Sequence, residues 1–86
     1  MPIHPQLRNI TARKLIRALE QDGFVHTRSR GSHHVYRHTD GRRVIVAYHR
    51  LGDTFAPGTL NTILKGTLWT DEDLQRLGLI PFSDRL

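Results

Sequence analysis

Apolar residues Ala12, Leu15, Ile16 and Leu19 fall at i, i+3, i+4 and i+7, the spacing of one face of an α-helix, with Lys14 and Arg17 off the stripe. Thr11 stands where a helix cap is needed, and Gly23 suits the left-handed residue that ends such a helix. The pattern then changes to period two. Phe24 to Arg28 reads as a first strand, Ser29-Arg30-Gly31-Ser32 as a turn, and the segments on either side of Asp40-Gly41 as a β-hairpin ending in the apolar run Val44 to Tyr48. A loop from His49 to Gly58, with Gly52, Asp53 and Pro57, leads to a second helix in which Leu60, Ile63 and Leu64 repeat at helical spacing and Gly66 can close the end. Thr70-Asp71-Glu72-Asp73 is a helix start, acidic where the helix dipole favours negative charge. Residues 1–10 hold two prolines and no periodicity, which predicts an extended arm, and an irregular tail containing Pro81 ends the chain. The element order is α-β-β-β-α with a short extra helix, an α+β fold.

A two-residue Asp40-Gly41 turn would set Val35 opposite Val46, Arg37 opposite Val44 and His33 opposite Tyr48. Val35, Val44, Val46 and Tyr48 then form the apolar face under the helices, with His33 partly desolvated at its far end. His34, Tyr36 and His38 fall on the other face, and His38 and Arg43 are solvated beside the turn. A three-residue turn with a glycine bulge would slip this register by one.

The 86 residues suffice for one domain, divided by pattern into the arm 1–10, a core 11–66 and an extension 67–86. A chain of this size has room for a shallow surface site rather than a deep pocket. Thirteen Lys and Arg against eight Asp and Glu give a net charge of +5, the electrostatic profile of a protein that meets a polyanion or an acidic partner. With no cysteine, thiol nucleophiles, disulfides and thiolate metal sites are excluded. No signal-peptide core or membrane-length apolar segment is present, so a cytoplasmic location and no membrane association are expected.

Six histidines invite a metal reading. His33 and His34 are adjacent on a strand and point to opposite faces, while His34 and His38 share a face roughly 13 Å apart, so neither pair chelates one ion. A cross-strand pair of His33 and His49 is the remaining metal arrangement. No HExxH spacing, Ser-His-Asp arrangement or GxxxxGK loop occurs, and the expectation is no metal and no cofactor.

The strings ARKLIRALEQDGF, GSHHVYRHTDGR and GTLNTILKG, in this order over residues 12 to 66, resemble the HicA (YcfA-like) toxins, small ribonucleases of toxin-antitoxin pairs. The resemblance implies a fold like the double-stranded-RNA-binding domain, with a three-stranded antiparallel sheet, two helices on one face and the short extra C-terminal helix beside them. It also implies an mRNA-cleaving activity, neutralisation by a HicB-like antitoxin, and catalysis by the histidine after the Gly-Ser pair, here His33. The chain departs from the family pattern at Thr39, where a proline usually precedes the turn, in the longer loop His49 to Gly58, and in GTLW after the second helix.

RNA supplies its own nucleophile in the 2′-hydroxyl. Cleavage therefore needs a base, an acid and positive charge at the phosphorus, which imidazole and cations provide without metal. Arg28, Arg30 and Lys65 are candidates for phosphate contacts and Ser32 for a hydrogen-bond donor. His34 and Lys14 are candidates for RNA contact, with ordinary solvent exposure as the plain alternative for each. Tyr36 could stack on a base or merely cover Ile45. A non-catalytic RNA-binding module of the same fold is the alternative function.

Overall fold

The structure is a computed structural model that describes residues 5–81. After a 3-10 turn at Pro5–Leu7, the elements run α1 (Ala12–Gln21), β1 (Val25–Arg30), β2 (His33–Arg37), β3 (Arg43–Ala47), α2 (Pro57–Thr67) and α3 (Asp71–Arg76). The strands form one antiparallel sheet in the order β1-β2-β3. The helices cover one face of it: Ala12, Leu15, Ala18 and Leu19 of α1, Leu60 and Ile63 of α2, and Leu74 of α3 share a single apolar cluster with Tyr36, Val44 and Val46.

Helix α1 begins and ends as its sequence dictates. The Thr11 hydroxyl accepts the Lys14 N–H at 3.2 Å. At the other end Gly23, at φ +102°, gives its N–H to Glu20 while Phe24 gives its own to Leu19. This paired arrangement satisfies two carbonyls that the last turn leaves free. Helix α3 starts with a reciprocal cap in which the Thr70 hydroxyl accepts the Asp73 N–H and the Asp73 carboxylate accepts the Thr70 N–H.

The hairpin register differs from the two-residue expectation. The His38 carbonyl accepts the Gly41 N–H, Gly41 adopts φ +101°, and the His38 N–H reaches Arg42, so the turn holds an additional residue. Arg37 now pairs with Arg43, Tyr36 with Val44, Val35 with Ile45, His34 with Val46 and His33 with Ala47. Because strand side chains alternate, the slip of one exchanges the faces of β2. Tyr36 enters the core at 3% exposure, and burial pushes its phenol up to about 12, with the neighbouring Tyr48 and Glu20 acting in the same direction. Val35 and His33 turn to the uncovered face. Val44, Val46 and Tyr48 stay on the helix side as expected.

Other boundaries shift as well. Strand β1 extends to Arg30, leaving only Gly31, at φ +58°, and Ser32 in the turn. His38 is not solvated: its Nε2–H donates to the Asp22 carbonyl at 2.7 Å, and its ring meets Phe24 edge-on at 5.2 Å. Helix α2 runs past Gly66 to Thr67 and stops at Leu68, which takes the left-handed conformation at φ 58°. Gly66 is needed for contact instead, since a Cβ there would lie 2.8 Å from Val44 Cγ1 and 3.1 Å from the Arg43 carbonyl oxygen. Residues 5–10 are not extended, and they place Leu7 and Ile10 in the core. At the far end Leu77, Leu79 and Ile80 join the same cluster, while residues 82–86 of the expected tail lie outside the described residues.

Asp22, at the C-cap of α1, is the polar centre of this side of the molecule. With 11% of its side chain exposed, it accepts from Trp69 Nε1 at 2.8 Å, Arg42 Nη1 at 3.0 Å and Arg76 Nη2 at 3.1 Å. Arg42 also binds Asp40 through Nε at 2.8 Å and lies over the Phe24 ring at 4.8 Å. Burial raises the Asp22 pKa, but the hydrogen bonds from Trp69, Arg76 and Arg42 outweigh it and hold the carboxyl below the usual aspartate range.

Two stability predictions follow from these contacts. Gly66→Ala gains about 1 kcal/mol of helix propensity but crowds Val44, at a cost of ~1–3 kcal/mol, and should lower the melting temperature. Gly58→Ala on the same helix meets open space and should leave it level or raise it. For Asp22 the unfolded chain binds the proton first. Its contribution is therefore complete above about pH 4 and disappears as the pH falls through the lowered folded value. Asp22→Asn should cost about 2–3 kcal/mol at pH 7 by thermal or urea unfolding, and the gap to the natural chain should narrow below pH 4.

Candidate nucleic-acid interface

The strand register divides the histidines and arginines between the two faces of the sheet. On the uncovered face β1 contributes Val25, Arg28 and Arg30, β2 contributes His33, Val35 and Arg37, and β3 contributes Arg43, Ile45 and Ala47. One extra residue of β1, Thr27, lies between the successive pairs His26–Tyr36 and Arg28–Val35. That bulge brings Arg28 and Arg30 onto the same face as His33. Arg30 stands directly opposite His33, and Arg28 opposite Val35, one step along the face. His33, Arg28 and Arg30 are all exposed. The three strands contain no carboxylate, and among the described residues none of Arg28, Arg30, Arg37 and Arg43 forms an ion pair.

His33 follows the Gly31-Ser32 turn. The Ser32 carbonyl accepts the Tyr48 N–H at 3.0 Å, which ties this turn to the residue just beyond β3 and fixes where the imidazole emerges. The expectation of a partly desolvated His33 beside the core is not met, because the register places it on the open side. An open position suits a polymer better than a small ligand, as a chain can cross it without entering a cavity.

The other site candidates lie elsewhere. His34 is on the helix side, where its ring stacks on Tyr48 at 4.2 Å between centroids and its Nδ1 bonds the Ser29 hydroxyl at 2.9 Å. The same hydroxyl bonds His26 Nε2 at 2.8 Å, and the His26 ring lies 5.1 Å from Tyr36. This hydroxyl-bridged pair of imidazoles was not apparent from the sequence, because Ser29 reads there as a turn residue. Lys14 is exposed on α1 and lines a groove of about 390 Å³ with Arg13, Arg17, Leu77 and Gly78. Lys65 is exposed on α2. Both helices cover the face opposite His33, so neither lysine joins it. Among the described residues no three His, Asp or Glu side chains are grouped to hold a metal ion.

The chemistry available on the open face is thus one accessible imidazole with two guanidinium groups beside it. Imidazole transfers protons near neutral pH. Guanidinium groups offer planar, paired donors that match phosphate oxygens. The described residues form no helix long and apolar enough to cross a membrane.

No curated protein matches the chain. The sequence profile of the family described as HicA toxin of bacterial toxin-antitoxin matches residues 12–67, from the first residue of α1 to the last of α2, with the whole sheet between them. The chain belongs to this family of RNase-type toxins, and an antitoxin partner goes with that membership.

Proposed function

We propose that the protein is an mRNA-cleaving endoribonuclease that works without metal, using His33 as general acid/base, and that a HicB-like antitoxin silences it by covering the His33 face. The observation that carries this reading is the juxtaposition of an exposed imidazole with Arg30 directly across the strand and Arg28 one step along, on a sheet without carboxylates. RNA approaching that face meets only positive and apolar groups.

His33 accepts the proton of the 2′-hydroxyl as that oxygen attacks the adjacent phosphorus. The bond from phosphorus to the 5′-oxygen breaks, the leaving oxygen takes a proton from water at this open site, the His33 imidazolium returns its proton to the hydroxide so formed, and a 2′,3′-cyclic phosphate remains on the upstream fragment. Arg30 and Arg28 meet the charge on the five-coordinate phosphorus, with Ser32 as an added donor. A positioned base contributes on the order of 10²–10⁴-fold and fixed donors at the developing charge a comparable factor. His34, Lys14 and Lys65 are left to contacts outside the reacting centre. A single imidazole on this face, with His34 on the other, also fits the second reading, an RNA-binding module that cuts nothing.

His33→Ala distinguishes the two. The purified chain should degrade single-stranded RNA in EDTA. The variant should lose at least about 100-fold in rate and no longer arrest growth on induction. Because His33 is exposed, the melting transition should stay cooperative, with stability changed by no more than about 0.5 kcal/mol. A folded variant that cleaves normally overturns the assignment. Loss of activity in EDTA with return on adding zinc replaces it with a metal mechanism.

A further inference from the structure

Two arginines on the open face have no part in the chemistry above. Arg37 and Arg43 are exposed and directly opposite each other at the end of the sheet nearest the turn. Like charges facing each other across strands destabilise a sheet. Arg42 and Arg76, by contrast, are each bonded to two carboxylates on the helix side. Arg42 and Arg76 thus have structural partners, whereas Arg28, Arg30, Arg37 and Arg43 form no ion pair among the described residues.

Arg37 is four residues along β2 from His33, about 13 Å at ~3.3 Å per residue. Between the two basic ends lie Val35 and Ile45, paired across β2 and β3; Val35 is buried at 8% exposure, while Ile45 is 41% exposed, and Val25, at 60%, borders Arg37 on β1. The face therefore alternates cationic, apolar, cationic along the strand direction.

We propose that this face is a track for single-stranded RNA running along β2, with the scissile phosphate at His33 and Arg30 and a second phosphate held by Arg37 and Arg43. The proposal rests on the ribonuclease reading for the position of the scissile bond. A single strand can lay a base on the exposed Ile45 between the two phosphates, whereas a duplex keeps its bases paired inside and would meet this apolar side chain with sugar and phosphate. At ~3.4 Å per nucleotide in a stacked strand, the two phosphates are at most about four nucleotides apart. A dinucleoside monophosphate fills the scissile position and does not reach the second one.

The test uses Arg37→Gln/Arg43→Gln in the full chain. Binding of a fluorescent uridine octanucleotide is measured by anisotropy across a salt series in the His33→Ala background, so hydrolysis does not interfere. The plot of log affinity against log salt should flatten by about 1.4, the release expected for two contacts to a single strand at ~0.7 each. With His33 present, kcat/KM for the octanucleotide should fall on the order of tenfold through KM, while that for the dinucleoside stays within about twofold. The melting temperature should hold or rise, because a like-charge pair has been removed. Unchanged salt slope and octanucleotide affinity overturn the track. So does a variant that keeps its RNA affinity but loses the antitoxin, which would make the face a protein-docking surface. If the natural chain cleaves nothing yet the variant loses the salt slope, the track stands and the ribonuclease reading falls.

Discussion

The extra residue in the turn between β2 and β3 decides what each face of the sheet is made of. Gly41 can adopt its positive φ without strain, the turn closes from His38 to Gly41, and every pair behind it is displaced by one. Tyr36 is thereby committed to the core and His33 to the open side. A strand cannot compromise between these states, since its side chains alternate and one face is buried. The site inherits its composition from this choice. Had the turn been tighter, His33 would have shared a face with Val44 and Val46, and Arg28 and Arg30, paired to β2, would have been carried to the helix side with it.

Asp22 does for the helices what the turn does for the strands. Its carboxylate collects donors from the hairpin turn, from Trp69 in the connection between α2 and α3, and from α3, and its carbonyl collects His38. Three separate connections are thus fixed against the end of α1. A buried carboxylate with one donor would be a liability, but with three its lone pairs are satisfied and the charge is balanced. The neighbouring Thr67, fully buried, is satisfied in the same way by its bonds to Leu64 and Trp69.

The helices, the order of elements and the caps of α1 and α3 were legible because they depend on local chemistry: apolar spacing, a hydroxyl before the first turn, a glycine after the last. The family was legible through three strings whose order and spacing together are more specific than any one of them. What remained hidden was long-range. Asp40-Gly41 is compatible with turns of two or three residues, and nothing within the hairpin sequence chooses between them, so the sequence puts Arg37 opposite Val44 where the structure pairs it with Arg43. Gly66 reads as a helix end until the Cβ-sized gap over Val44 is seen. The bulge at Thr27 has no signature of its own, although it is what aligns Arg28 and Arg30 with His33. His38 likewise carries no mark of its attachment to Asp22.

The family match stops at Thr67, yet the folded unit does not. Thr67 is fully buried, and the segment after it supplies Leu74, Leu77, Leu79 and Ile80 to the core, with Leu7 and Ile10 arriving from before α1. Cut at the boundary of the match, the chain would strip Asp22 of the Trp69 and Arg76 donors and leave Arg42 alone to balance it. The family match takes in the whole sheet, while part of the apolar cluster on its far side comes from residues outside the matched span. Recognition and self-sufficiency here have different borders, and a minimal toxin drawn to the first would lack the second.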